Sequence, residues 1–265
     1  MFWEVKLKRF RFIEHGLCCD VFYRKDVTNG KCALFLYGFP ATLGSNSLTE
    51  ILVNSGYTVL HPHYYGTYDS SGDFTPLSAY RTVEVIGNIV DNGNVLDLKS
   101  NKQIQIPTTI DICVAYSFGA FVLKHTLKYM NKVRAILLFS PVMSNNINNK
   151  TCWVNIDGQE HLDYVIRTRP YTYRINDLSI WKDQYVNDNV DHVDKLSSSV
   201  VKVAWFYGRN DPAIEEELLI NKYLMATKNC ISETADIEFV CIENGGHEIN
   251  TLLNEKARSI IQSLL

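Results

Sequence analysis

Apolar and polar positions change their rhythm along this chain, and each change marks a new kind of element. Residues Phe2 to Ile13 alternate, with Trp3, Val5 and Leu7 apolar and Glu4, Lys6 and Lys8 polar. A period of two is the mark of a strand with one buried face. A second run, Leu17 to Arg24, leads to Asp26-Val27-Thr28-Asn29-Gly30, whose Asn-Gly pair predicts a hairpin. Ala33 to Tyr37 is a continuous apolar run, as expected of a strand covered on both faces. Two antiparallel strands are thus expected to lead into a buried sheet.

From there strands and helices alternate. Ser47 to Ser55 predicts a helix ending at Gly56, and Tyr57 to His61 the next strand. Leu77 to Val90 places Ala79, Val83, Ile86 and Val90 on one helical face. Val95 to Ile106 is ambiguous, with Ser100-Asn101 able to turn a small hairpin. Ile110 to Ala115 predicts a buried strand. Phe118 to Met130 predicts a helix with Lys124, Lys128 and Asn131 as its wet stripe. Strands are expected at Val133 to Phe139, Val200 to Tyr207 and Ile237 to Ile242, and a helix at Glu215 to Thr227. The chain closes on a helix presenting Ile249, Leu252, Leu253, Ile260, Ile261 and Leu264 on one face. Such alternation implies an α/β fold, a mostly parallel sheet between helices.

Residues 144–199 break the rhythm, opening on an Asn-rich stretch (Ser144 to Asn149) and closing on Ser197-Ser198-Ser199. Trp153, Tyr164, Tyr171, Tyr173, Trp181 and Tyr185 lie between. Structureless loops of that length are uncommon in compact domains, so 144–199 is expected to be an inserted lid. The core is then 1–143 and 200–265.

Composition narrows the functions available. Apolar residues make up 46% and charged residues 21%, with a net charge of -3, which provides no footprint for nucleic acid. No apolar run approaches the roughly 18 residues of a membrane helix. Met1 to Val5 lacks the basic-then-apolar order of a signal peptide. Seven cysteines without a CxxC spacing suit buried free thiols in a reducing compartment. A cytoplasmic protein is expected.

Ala115-Tyr116-Ser117-Phe118-Gly119 sits between a buried strand and a helix. It resembles the nucleophile elbow of the α/β-hydrolase superfamily, G-x-S-x-G, with Ala115 in place of the first glycine. A serine on a sharp strand-to-helix turn needs small flanking residues. The competing role for Ser117 is a helix N-cap. The resemblance spans nearly the whole chain and implies an eight-stranded, mostly parallel sheet flanked by helices, with an inserted lid.

In that superfamily the triad runs serine, acid, histidine along the chain. After Ser117 the histidines are His125, His161, His192 and His247. His247 follows the last strand and the turn Asn244-Gly245-Gly246. For the acid, Gly208-Arg209-Asn210-Asp211-Pro212 resembles the superfamily's strand-end aspartate segment. Asp-Pro is also the pattern of a helix N-cap and N1, and both roles can hold together. The resemblance implies that His247 takes the Ser117 proton while Asp211 orients the imidazole. It also implies oxyanion donors at the Phe118 and Phe39 amides, the latter from Tyr37-Gly38-Phe39-Pro40 after the third strand. Tyr37, in the usual histidine place, can line the site or pack, and Tyr116 is the other candidate substrate contact.

His61 to Phe74 resembles the D-x-R-G-x-G-x-S-x-G loop of lipase-like, serine-aminopeptidase-like and prolyl-oligopeptidase-like members, with His63 and Tyr65 in place of its aspartate and arginine. His61 and His63 are spaced like metal ligands, but no third ligand is apparent, so no metal and no cofactor are expected. The substrate is expected to be a small acyl compound, an ester or thioester. Three readings stay open: hydrolysis, transfer to another acceptor as in an acyltransferase or thioesterase, and a binding scaffold without turnover. Arg167, Arg169 and Arg174 belong to a substrate carboxylate or phosphate or to a solvated lid surface. Lid aromatics suggest an apolar pocket or, alternatively, the lid's own core.

Overall fold

The computed structural model describes residues 7–26, 28–129, 132–142, 158–186, 200, 202–213 and 235–265. The sequence expectations for Met1 to Lys6, the Asn-rich stretch, Trp153, His192, the triple serine and the helix at Glu215 to Thr227 fall outside these residues.

Ten strands form among the described residues: β1 (Lys8–Glu14), β2 (Leu17–Tyr23), β3 (Cys32–Leu36), β4 (Thr58–Pro62), β5 (Asn94–Asp97), β6 (Lys102–Gln105), β7 (Ile110–Tyr116), β8 (Ala135–Phe139), β9 (Lys202–Gly208) and β10 (Asp236–Ile242). Eight of them make one sheet in the order β1-β2-β4-β3-β7-β8-β9-β10, while β5 and β6 pair as the small hairpin. Pairing is parallel from β4 to β10 and antiparallel at β1–β2 and β2–β4. The central strands β3, β4 and β8 are buried along their whole length, which explains their unbroken apolar sequences.

Two turns differ from expectation. The tight hairpin is β1–β2, turning at His15 and Gly16, both with positive φ (52° and 77°). Asn29-Gly30 makes no hairpin, because β4 inserts between β2 and β3. The Asn29 side chain instead accepts the Lys31 N–H at 3.0 Å, and its own N–H donates to Gly56 O at 3.0 Å. Local turn chemistry was read correctly, but the partner strand comes from later in the chain.

Helices α1 (Ser47–Asn54), α2 (Pro76–Asn92) and α3 (Phe118–Lys124) cover the sheet. Thr75 and Ser78 form a reciprocal cap at the start of α2, and Gly93 ends it in the left-handed conformation. α3 is shorter than its periodicity suggested, and every residue in it is buried. Lys124, expected on a wet stripe, is 1% exposed with its Nζ 5.2 Å from the centre of the Phe121 ring. After it, Thr126 Oγ1 donates back to Val122 O at 2.8 Å, a bond that competes with helix propagation.

Between β8 and β9 the described residues form two further helices, α4 (Gly158–Thr168) and α5 (Leu178–Trp181), and α5 runs into a π-helical turn at Lys182–Val186. The terminal helix is two: α6 (Ile249–Leu252) and α7 (Glu255–Leu264). Asn254 breaks it, its side chain accepting the Ala257 N–H at 2.9 Å as a new N-cap. No helix among the described residues is long and apolar enough to cross a membrane.

Candidate active site

Three chain segments meet at the C-terminal ends of β7, β9 and β10. Ser117 follows β7 directly and adopts φ 51°, ψ -117°, a backbone state costing about 1–3 kcal/mol in a non-glycine residue. The surroundings hold it there. Ser117 N–H donates to Phe139 O at 3.0 Å, and Ser117 O accepts from Val142 N at 3.1 Å. The turn needs its small flank, since a Cβ on Gly119 would lie 2.2 Å from Leu36 O. Ala115, in the other flank, is fully buried. The Ser117 side chain makes no capping bond to α3, so the N-cap role does not apply.

The Ser117 hydroxyl instead lies 3.0 Å from His247 Nε2. On the other side of the ring, His247 Nδ1 is 3.0 Å from each Asp211 carboxylate oxygen. All three residues are buried, so this relay of hydrogen bonds sits where water screens it weakly. Asp211 Oδ1 also accepts the Ala213 N–H at 2.8 Å. The turn-forming bond and the bond to histidine therefore coexist, as the Asp-Pro sequence allowed.

What brings acid and histidine into register is a close crossing of two loops. A Cβ on Gly208 would come 2.2 Å from Gly245 O. Across that gap Asn210 N–H donates to Gly245 O and Arg209 N–H to Ile242 O, both at 3.0 Å. Glycine is required at 208 because the backbones touch.

The loop after β3 passes over the serine. A Cβ on Gly38 would lie 3.1 Å from Ser117 Cβ, so the loop backbone packs closely on the Ser117 side chain. Phe39, next along, turns its ring into an aromatic cluster with Phe74, Phe118, Tyr173 and Trp181, centroids 5.0–5.7 Å away. Two residues on, the Ala41 backbone is clamped. Its N–H donates to Tyr173 Oη at 2.7 Å, and its carbonyl accepts from Arg169 Nη1 at 3.1 Å and from the Tyr68 hydroxyl. Sequence reading missed this clamp, because Tyr173 is separated from Ala41 by 132 residues.

The segment between α4 and α5 is sewn to the loop after β4. Arg174 N–H donates to Gly66 O at 2.9 Å, Phe74 N–H to Arg174 O at 2.7 Å, and Trp181 Nε1 to Phe74 O at 2.8 Å. The Arg174 guanidinium binds the carbonyls of Tyr68, Ser70 and Gly72. Neither Arg169 nor Arg174 is the solvated charge considered from sequence, since both hold loop carbonyls. Trp181, Tyr173 and Tyr185 are buried in core packing.

Beside Ser117 and His247 lies a cavity of about 530 Å³. Tyr116 and Glu248, the neighbours of Ser117 and His247, are part of its wall, as are Tyr37, Tyr164, Arg169 and Asn46. The lining is mostly apolar and aromatic, with Phe35, Leu43 and Ile249 beside the tyrosines, and Asn46, Arg169 and Glu248 add polar groups to it. Tyr37 does both things left open for it. It lines the cavity, and its buried hydroxyl accepts the Tyr64 N–H at 2.8 Å and meets Thr67 Oγ1 at 3.1 Å. Burial raises its phenol pKa, as it does that of Tyr116, where Glu248 and Asp211 add to the effect. Both phenols stay neutral.

The two histidines of the β4 end diverge. His61 stacks on Phe35 at 4.5 Å and meets Thr49 Oγ1 at 3.2 Å, and burial lowers its pKa to about 3. His63 belongs to a separate polar group. Its Nε2 lies 3.2 Å from Asp20 Oδ2, and Asp20 also binds Arg9 and Arg11. Among the described residues, Cys18, His63 and Asp69 bring potential ligand atoms within 4.8 Å of one another.

No family model matches the sequence, and no curated protein does. Solved structures do match. Over 100% of this chain and 96% of its own length, the Pyrococcus furiosus esterase Pf2001 superposes with a TM-score of 0.59 at 17% identity. Est1E from Butyrivibrio proteoclasticus matches 97% of this chain and 98% of its own with a TM-score of 0.59 at 13% identity. XC6422 from Xanthomonas campestris, described as an α/β serine hydrolase without lid, matches 100% and 95% with a TM-score of 0.56 at 12% identity.

Proposed function

We propose that this chain, which has the α/β-hydrolase fold, is a serine hydrolase that cleaves an ester or thioester through an acyl-enzyme on Ser117. The observation that carries the reading is the continuous relay from Ser117 Oγ through His247 to Asp211, 3.0 Å at each step. His247 Nε2 takes the hydroxyl proton as Ser117 Oγ attacks the acyl carbon, and Asp211 holds the Nδ1–H and stabilises the imidazolium. The protonated imidazole then delivers its proton to the leaving group. Water, activated by the same nitrogen, attacks the acyl-enzyme and frees Ser117.

The negative oxygen of each tetrahedral intermediate is assigned to the Phe118 and Phe39 amides. Support for Phe39 is the contact of its preceding glycine with Ser117, and support for Phe118 is its place directly after the nucleophile. The acyl or leaving group would occupy the cavity between Tyr37, Tyr116 and Tyr164, and the polar wall at Arg169, Glu248 and Asn46 favours a substrate with hydrogen-bonding groups of its own. Residues 144–199 would act as the lid, Tyr164 and Arg169 being its contribution to that wall. An alcohol or amine in the place of water would make the same centre an acyltransferase. A cytoplasmic setting fits the free cysteines Cys18, Cys19, Cys32, Cys113 and Cys241.

The test is p-nitrophenyl ester hydrolysis from acetate to decanoate, wild type against Ser117→Ala, with a fluorophosphonate probe alongside. Turnover and labelling that both vanish in Ser117→Ala are expected. A wild type that neither turns over nor labels refutes the assignment and leaves a binding scaffold.

A further inference from the structure

We propose that Cys18, His63 and Asp69 form a binding site for a zinc ion, separate from the triad, that ties the end of β2 to the loop after β4. His63 supplies the pointing observation. Its side chain is buried, its Nε2 is engaged by Asp20 Oδ2 at 3.2 Å, and its Nδ1 has no hydrogen-bond partner. A buried ring nitrogen without a partner is costly. In the neutral ring, an Nε2–H given to Asp20 leaves Nδ1 as a bare lone pair. A carboxylate on one nitrogen and a metal on the other is the usual arrangement of a ligating histidine.

The other two donors lie beside that ring. β2 and β4 are antiparallel with Cys19 opposite Pro62, and one step further His63 N–H donates to Cys18 O at 2.8 Å. Cys18 and His63 are therefore held side by side by backbone, and Ser70 fastens the loop to both. Its Oγ accepts the Cys18 N–H at 2.9 Å and donates to His63 O at 2.6 Å. Asp69, adjacent to Ser70, brings the third donor within the 4.8 Å that the ligand atoms span. Tetrahedral zinc with bonds of about 2.0–2.3 Å needs its ligand atoms about 3.5 Å apart. The exposed Asp69 side chain can make its part of that contraction.

A thiolate, an imidazole and a carboxylate with a fourth position for water match zinc's preference for mixed sulfur, nitrogen and oxygen ligands. Local charge permits the ion. Arg9 and Arg11 are balanced by Asp20 and Asp69, so zinc bound to a Cys18 thiolate leaves one net positive charge. Arg11 holds Asp69 Oδ2 at 2.6 Å, which leaves the other oxygen for the metal. Burial pushes the Cys18 thiol up to about 12, and zinc must displace that proton.

The test uses Co²⁺ and Zn²⁺ alone with the full chain, reduced and freed of metal. Co²⁺ is expected to give a thiolate-to-cobalt charge-transfer band that Zn²⁺ abolishes, and Zn²⁺ is expected to raise Tm. Cys18→Ser should lose the band while Cys241→Ser keeps it. Asp69→Asn, which gives up the exposed ion pair with Arg11 and is compared with its own metal-free Tm, should weaken Zn²⁺ binding at least tenfold. No band in the wild type, a band that survives Cys18→Ser, or unchanged Zn²⁺ affinity in Asp69→Asn would each overturn the proposal. None of these readouts involves ester hydrolysis, so they stand or fall independently of the triad.

Discussion

Tyr173→Phe isolates the clamp on the loop assigned to oxyanion binding. The ring keeps its place against Phe39, Phe74 and Tyr68, with centroids 5.0–5.8 Å away, so the change is confined to one oxygen. That oxygen accepts the Ala41 N–H at 2.7 Å. Leaving such a donor without its partner costs about 1–3 kcal/mol. Ala41 is partly exposed, so water recovers some of this, and we expect about 1–2 kcal/mol. For a domain of this size that lowers Tm by about 2–8 °C. If the strain passes to the Phe39 amide two residues away, kcat falls by about 5- to 30-fold at 1.36 kcal/mol per decade. KM should rise as well, because Ala41 and its neighbours Pro40 and Thr42 are part of the cavity wall. Thermal melts and p-nitrophenyl butyrate kinetics read both effects. An unchanged Tm refutes the clamp, and a lowered Tm with unchanged kcat refutes its link to the oxyanion donor.

Gly208→Ala should force the acid and histidine loops apart, since its Cβ would sit 2.2 Å from Gly245 O. Loss of kcat greater than 10²-fold with retained far-UV circular dichroism is expected, and normal turnover would show that the crossing tolerates a methyl group. His61 is neutral in the fold with a pKa near 3 against about 6.5 when unfolded. The unfolded chain therefore binds more protons between these values, and stability falls as pH drops from about 6.5 towards 3. His61→Gln should flatten that slope in urea melts at pH 6.5, 5.5 and 4.5, and an identical slope would refute the assignment. Trp181→Ala empties a fully buried site and removes the bond to Phe74 O, costing about 3–5 kcal/mol. Because Trp181 underlies the loop rather than lining the cavity, its loss should weaken all esters alike. Tyr164→Ala, on the wall, should instead change preference among acyl chains, which the acetate-to-decanoate series measures.

The fold class was legible because burial imposes periodicity on each segment by itself. β3, β7 and β8 are buried on both faces, and α2 presents one apolar stripe, whatever their neighbours are. Ser117, Asp211 and His247 were legible for a related reason. A serine at a strand-to-helix turn, an aspartate after one strand and a histidine after another each leave a local trace, and it is the resemblance of their order to the superfamily pattern that pairs them. What the sequence could not supply were contacts made by segments remote from each other. Asn29-Gly30 has the chemistry of a hairpin, yet β4, not yet reached by the chain, takes the place beside β2. Lys124 falls on the polar side of a helical wheel, but the fold buries it with its ammonium over the Phe121 ring. The terminal helix breaks where Asn254 caps a new one, because Leu252, Leu253 and Ile261 must all reach the core. Tyr173 meeting Ala41, and Asp69 meeting Cys18 and His63, depend on which loops the sheet brings together. Periodicity records how much of each residue is buried, and only the folded chain decides what buries it.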